Sequence, residues 1–307
     1  MTSYPVLQIV KGDLKSIPIL KILGTYMPTM NVGDPALLAH YISNFKAKPD
    51  DVFVVSYPKS GTTWVQEIVW QIVNGGKVSK EKIDYRFPYL ECATAEDSRK
   101  TDFQALPSPR LIKSHLHASA IPKGSGENSR CKYIYVARNP KDVVVSYFHY
   151  VQSFEQMNDF RAPWEFYVDL FIEGNGELKN CYHSYSIVLV LLGWWKHRND
   201  PNVLFLKYED LKKDLLSHVR TIAEFLKKPL SDELINRIAE QCTFKGMMQN
   251  YLSFKFTSED DDGVGQILRK GVVGDWKNHF TPEMNERFDK EVLAKLSGSG
   301  LEFDYDL

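Results

Sequence analysis

Short apolar runs and longer segments of helical period alternate along the chain. Val52–Ser56 (VFVVS), Arg110–Lys113 (RLIK), Lys132–Val136 (KYIYV) and Val203–Leu206 (VLFL) are the short runs. They are apolar without strict alternation, which predicts strands covered on both faces, as in a parallel sheet. Between them the period changes. Trp64, Val65, Ile68, Val69, Ile72 and Val73 recur at helical spacing, and Gly75-Gly76 supplies a C-terminal stop. Pro140 is placed to open a helix over Asp142–Tyr150, and helical patterns also run over Leu211–Leu226 and Ser231–Gln241. The longest apolar stretch, Ile187–Gly193 followed by Trp194 and Trp195, predicts a buried helix. It falls short of the roughly 18 apolar residues of a membrane span. Strand and helix in alternation predict an α/β fold, a single domain over 1–307 with a central, mostly parallel β-sheet flanked by helices. No repeat, low-complexity tract or long Pro/Gly/Ser linker divides it.

In such sheets ligands sit beyond the carboxyl ends of the strands, and three of the four runs end in chemically useful groups. The first runs into YPKSGTTW, residues 57–64. A helix start there would present unpaired backbone N–H groups and the positive end of its dipole to an anion. Gly61 permits close backbone approach, Lys59 adds a charge, and Ser60, Thr62 and Thr63 add hydroxyl donors. The corner is P-loop-like without being a Walker A sequence, because Lys59 precedes the only Gly and no magnesium-binding Asp is evident. The second run ends in Lys113-Ser114-His115, and the third in Ala137-Arg138-Asn139-Pro140. An imidazole beside a lysine at a strand end can serve as a general base; alone it is more often structural. His117 reads as loop surface, and His149 as facing an acceptor cavity or the core.

Composition narrows the ligand. With 38 basic and 39 acidic residues the formal net charge is −1, which argues against a nucleic-acid surface and makes any positive site local. Cys92, Cys131, Cys181 and Cys242 show no metal-ligand spacing and read as reduced core thiols, with no metal expected. The N-terminal stretch lacks the charged-then-apolar pattern of a secretory leader, so a cytoplasmic protein is expected, with no membrane partner.

Five stretches then carry a specific likeness. YPKSGTTW, RLIKSHL, YVARNPKDVVVSYFHY, NVLFLKYEDL and RKGVVGDWKNHFT stand in the order and spacing of the cytosolic sulfotransferases, so that the chain resembles that family from about residue 40 to about residue 290. The resemblance implies transfer of a sulfuryl group from 3′-phosphoadenylyl sulfate (PAPS) to the hydroxyl or amine of a small acceptor, releasing PAP without a metal. It implies that Lys59 neutralises the leaving group while Ser60, Gly61, Thr62 and Thr63 hold the 5′-phosphosulfate. His115 is the implied general base, with Lys113 stabilising the transition state. Trp64, Tyr208, Thr243 and Phe244 would flank the adenine, and Arg138, Ser146, Arg269, Lys270 and Gly271 would bind the 3′-phosphate; Ser146 also counts with the catalytic set. Segments that line the acceptor pocket in relatives contain Phe87, Pro88, Tyr89, Phe148, His149 and Tyr150, whose aromatic walls would suit a phenol or another planar hydroxyl.

The chain departs from the family in places. Cys242 stands where Thr is more frequent, and Ile187, Val188, Leu189 and Val190 replace aromatic and polar groups near the acceptor side. The family's short dimer motif keeps Lys277, Thr281 and Glu286 but has Pro282 in place of Val, which would weaken a homodimer built on backbone pairing. The acidic run SEDDDG, residues 258–263, reads as a solvated loop that could attract cationic amines. Two rival readings follow: a magnesium-dependent nucleotide kinase or ATPase, and a non-catalytic PAPS/PAP-binding protein.

Overall fold

The computed structural model describes residues 4–8, 10–16, 18–97, 99–124, 131–153, 162–173, 187–250, 254–256, 265–266 and 268–307. Two small antiparallel hairpins come first, β1 (Val10–Lys11) with β2 (Leu14–Lys15) and β3 (Ile19–Ile22) with β4 (Thr25–Pro28), followed by α1 (Pro35–Ser43). The four apolar runs then form one parallel sheet: β5 (Val52–Ser56), β6 (Leu111–Ser114), β7 (Lys132–Ala137) and β8 (Val203–Lys207), in the order β6-β5-β7-β8. The helices are α2 (Thr62–Val73), α3 (Ile83–Arg86), α4 (Pro140–Gln152), α5 (Trp164–Glu173), α6 (Ile187–Trp195), α7 (Tyr208–Lys213), α8 (Leu215–Phe225), α9 (Asp232–Gln241), α10 (Phe244–Met248) and α11 (Pro282–Glu291). A two-stranded ribbon of β9 (Lys255–Phe256) and β10 (Gly265–Gln266) completes the described elements.

The expected burial of both sheet faces is what the strands do. Phe53 and Val55 of β5 and Tyr133, Tyr135 and Ala137 of β7 enter one core, with α4, α5, α6 and α11 packed over them. Val52 and Val54, with Ile134 and Val136, enter the other, under α2, α8 and α9. The period-2 side-chain alternation therefore feeds two apolar layers, and every residue of β5 is buried. In α6, Ile187, Val188, Val190, Leu191 and Trp194 are buried while Leu189 points outward, 60% exposed.

Several sequence expectations shift. The single helix expected over Leu211–Leu226 begins earlier, at Tyr208, and breaks at Asp214 (φ −144°, ψ 80°), whose carboxylate accepts from Ser217 N and starts α8 afresh. An Asp side chain that caps the backbone competes with helix continuation. Pro282 lies at the first position of α11, after the Thr281 cap. The amide hydrogen it lacks would have had no intrahelical partner there, so Pro282 costs the helix itself little. Cys92, Cys131 and Cys242 are free and buried. Cys181 and the acidic run 258–263 fall outside the described residues. Among the described residues, no helix is long and apolar enough to cross a membrane.

Candidate active site

The chain runs from β5 to β6 on one side, then back across β5 to β7 on the other, so the strand order reverses at β5. Such a reversal opens a crevice at the strand ends. The loop after β5 fills it with a strained turn. Lys59 has φ 69° and Gly61 φ 106°, the latter as N-cap of α2. Left-handed backbone at a lysine is costly and persists where surroundings impose it. At Gly61 a Cβ would lie 2.7 Å from the Tyr208 ring, so both conformation and close approach require glycine. Tyr208 in turn meets Trp64 edge-on at 5.1 Å, and Trp64 Nε1 donates to the Cys242 carbonyl at 2.6 Å. Beyond Cys242, Thr243 caps α10, and a Cβ on Gly271 would strike Phe244 at 2.5 Å. Trp64 and Tyr208 are thus in direct contact, and Phe244 is seated against the 268–274 stretch.

Cations from separate segments converge here, some of them paired: Arg138 lies 3.5 Å from Asp142 and Lys113 3.9 Å from Asp84. The Lys59 ammonium is pushed down to about 7 by burial and by the charges of Lys113, Arg138 and Arg269. Those four groups come from four separate segments, and mutual repulsion of this kind marks a receptor for anions. Lys59 Nζ also lies 4.2 Å over the Tyr150 ring. Arg138 stacks on Tyr208 at 4.3 Å and donates to the Val272 carbonyl at 2.8 Å, which brings the 268–274 stretch to the end of β7. Its Nε, and the wholly buried Ser60 Oγ, have no hydrogen-bond partner among the described residues. Arg269 and Lys270 both bind Asp275, at 2.6 and 2.7 Å. Burial works to raise Asp275, but the hydrogen bonds from Lys270, Arg269 and Asn278 carry it well below the usual carboxylate range. Ser146 lies half-buried on α4, two turns beyond the Asn139 cap.

His115 sits at the tip of β6. Its Nδ1 donates to the Ser56 carbonyl at 2.8 Å, with Ser56 Oγ at 3.3 Å, and Ser56 Oγ meets Thr62 Oγ1 at 2.5 Å. A carbonyl can only accept, so Nδ1 carries the hydrogen and Nε2 keeps its lone pair. Burial, then the Lys113 and Lys59 charges, outweigh the Ser56 hydrogen bond and lower the imidazole to about 3. It is therefore neutral across the physiological range. Thr62 is bonded to Ser56, so its hydroxyl ties the loop to the imidazole rather than standing free.

Acceptor-side expectations are placed unevenly. Tyr89 meets the His115 ring at 5.3 Å, and Lys113 Nζ lies 4.7 Å over Tyr89. Phe87 is instead wholly buried in the core under α2. Phe148 packs on Trp164 and Tyr167 of α5, and His149 meets His279 at 5.1 Å. Helical spacing explains this, since Tyr147 and Tyr150 take the face toward Tyr57 and Lys59 and leave positions 148 and 149 turned aside. His117 is half-buried rather than on the surface, and burial lowers it to about 3.

Carboxylates that the sequence reading passed over do the positioning. Glu91 accepts from the His115 amide at 2.6 Å and from Ser114 Oγ at 3.2 Å, and burial raises it to about 7. Asp142 accepts from Gly274 N and Trp276 N at 2.9 and 3.1 Å, and Glu209 from Asn139 N at 2.8 Å. Their signal in sequence was only that of ordinary helix-end acids. Among the described residues no group of three or more His, Cys, Asp or Glu could hold a metal ion.

Comparison with known proteins identifies the family. The model of the sulfotransferase domain matches residues 49–300. Human sulfotransferase 1C2 is 35% identical over 302 residues, covering 95% of this chain and 97% of that protein. The rabbit (Oryctolagus cuniculus) amine sulfotransferase is 39% identical, covering 87% of each. Among solved structures, a mouse sulfotransferase complexed with PAP superposes with a TM-score of 0.69 at 30% identity, covering 92% of this chain and 96% of that one. Retinol dehydratase in a complex with retinol and PAP reaches 0.72 at 28% identity, covering 86% of each. With the matching model spanning most of its length and relatives of this similarity over nearly all of it, the chain belongs to the sulfotransferase family.

Proposed function

We propose that this sulfotransferase uses PAPS as donor and sulfates a small aromatic acceptor with His115 as general base. The observation that carries the reading is the His115 tautomer: Nδ1 is committed to the Ser56 carbonyl, which leaves Nε2 basic beside Lys59 and Lys113. The residues present fit the donor. Ser60 Oγ and Arg138 Nε, without hydrogen-bond partners among the described residues, the repelling cations Lys59, Lys113, Arg138 and Arg269, and the Trp64–Tyr208 pair match an anionic adenosine carrier. Lys59, Ser60, Gly61, Thr62 and Thr63 would hold the 5′-phosphosulfate. Arg138, Ser146, Arg269, Lys270 and Gly271 would hold the 3′-phosphate, with Trp64, Tyr208, Thr243 and Phe244 around the adenine.

In the transfer step His115 Nε2 takes the acceptor's hydroxyl proton as that oxygen bonds to sulfur. The bond from sulfur to the 5′-phosphate oxygen breaks on the opposite side, and the leaving group keeps the electron pair. Lys59 offsets that charge, and Lys113 offsets charge on the sulfuryl oxygens, the kind of preorganised electrostatic help that dominates many enzyme rates. No metal is required by this arrangement. Tyr57, Tyr89, Tyr147 and Tyr150 give the acceptor side aromatic walls, and the amine sulfotransferase among the relatives keeps amines within the acceptor class. The compartment proposed is the cytoplasm. A homodimer through the stretch from Lys277 to Glu286 is the assembly to test by sedimentation.

The test is an acceptor screen with labelled PAPS and no added metal, on wild type and His115→Ala. Sulfated phenol from wild type, lost in the variant while PAP affinity persists, is the expected result. Transfer that continues in the variant removes His115 from its role. PAP binding with no product from any acceptor favours a non-catalytic binding protein.

A further inference from the structure

We infer that Asp84 selects the acceptor: its carboxylate, which faces Lys113 beside Tyr89, takes the ammonium group of a cationic arylalkylamine. The inference deepens the reading above and rests on its placement of donor and acceptor.

Asp84 lies on α3, and its charged neighbours place it. Lys113 Nζ is 3.9 Å from Oδ1, and the charges of Arg99 and Lys82 act on it next. Arg138 and Arg269, the nucleotide-side cations, do not figure among them. Tyr150, whose ring carries Lys59, feels the Asp84 charge. Asp84 is thus linked to His115 through Lys113 and Tyr89, and to Lys59 through Tyr150.

The carboxylate is enclosed yet open to a ligand. Desolvation raises its pKa despite three nearby cations, while 30% of the side chain stays accessible. A group that is desolvated and still touchable lines a concavity. Among the described residues no hydrogen bond reaches either oxygen, and its ion pair is the long one to Lys113. Buried carboxylates are ordinarily satisfied by donors, so this one has spare capacity. The neighbouring cations have other duties. Arg99 is bound through Nε and Nη2 to Asp97, and Lys113 lies toward His115, where the sulfuryl group passes. Once Lys113 serves that second anion, Asp84 keeps only the longer-range charges of Arg99 and Lys82, and a ligand ammonium would relieve its desolvated carboxylate. The same charge repels an anionic acceptor.

The test uses PAP-loaded protein and three phenols of similar shape: tyramine, 4-ethylphenol and 3-(4-hydroxyphenyl)propionate, with binding measured by calorimetry. Wild type should bind tyramine about tenfold or more tighter than 4-ethylphenol, with the propionate weakest. Asp84→Asn should erase that order, and Asp84→Glu should retain it, which also serves if the Asn variant folds poorly. Equal affinities for tyramine and 4-ethylphenol in wild type overturn the inference. So does an unchanged order in Asp84→Asn, or a uniform loss for all three phenols, which would mean that Asp84 only anchors Lys113. A charge-ordered binding series from a wild type that sulfates none of the three would leave Asp84 in place and refute the reaction reading instead.

Discussion

The side of this crevice proposed for the nucleotide and the side proposed for the acceptor are built in opposite ways. On the nucleotide side, backbone does much of the work. Lys59, Gly61 and Gly271 adopt left-handed conformations, and the loops are pinned from behind by Asp142, Glu209 and Asp275. The charge facing the ligand is positive. On the side proposed for the acceptor, side chains from separate elements gather: Tyr57 after β5, Asp84 on α3, Tyr89 and Glu91 before β6, Tyr147 and Tyr150 on α4. Its polar groups are carboxyls and phenols, each raised by desolvation. A doubly anionic carrier of constant shape suits a fixed backbone cradle, whereas a replaceable wall of side chains suits varied acceptors. His115 stands on the seam, tied to Ser56 and Thr62 on one side and to Tyr89 and Glu91 on the other.

The sharpest way to separate the halves is His115→Ala. Loss of the base should lower the transfer rate by ~10²–10⁴-fold, while calorimetry finds PAP affinity within a factor of about two of wild type. A matching loss of PAP affinity would mean that the two sides are not separable. Next in size is Arg269→Ala. Losing a charge-assisted contact worth about 1.5–3 kcal/mol should weaken PAP by roughly tenfold to a hundredfold. Adenosine 5′-phosphate should be nearly unaffected, and equal losses for both nucleotides would undo the 3′-phosphate assignment.

Lys59 gives a pH signature confined to the nucleotide side. In the free protein it titrates at about 7, and a bound anion favours its charged form. Below that pH the lysine is charged in both states and contributes no slope. Above it, binding must take up a proton, so PAP affinity should fall by about tenfold per pH unit until the bound-state pKa is reached. His115, neutral above about 3, should add no acid limb near its ordinary value. A PAP affinity flat from about pH 7 to about pH 9 would contradict the convergence of cations. The smallest effect is expected for Gly61→Ala. Left-handed backbone costs a residue with a Cβ about 1–2 kcal/mol, and the Tyr208 ring must also shift. Thermal unfolding should move down by a few degrees, by about 1.5 °C per kcal/mol at this chain length, with PAP weakened more than acceptor.

Much of this molecule was readable before its fold was known, for reasons that differ by element. The four strands announced themselves because burial on both faces forces continuous apolar composition, and the observed spans differ from the expected ones by at most one residue at either end. The YPKSGTTW corner was readable because its geometry is local: Gly61 and the first turn of α2 lie within a few residues of Lys59. The break at Asp214 was not, since an apolar period continues across it and the cap is a single side chain. Phe148 and Tyr150 look alike in sequence, yet one packs on α5 and the other carries Lys59.

The sequence by itself determined the layered α/β plan, the strand-loop-helix corner and the placement of Lys59, His115 and Arg138 at or just past strand ends, because each depends on neighbours within about one turn or one strand. Only the tertiary structure decided that Ser56 fixes the His115 tautomer across 59 positions, that Glu91 holds the same loop from behind, and that Asp84 pairs with Lys113 while Phe87 enters the core under α2. Those outcomes depend on which strand lies beside which and on the rotation of short helices, and no local period in the chain encodes either.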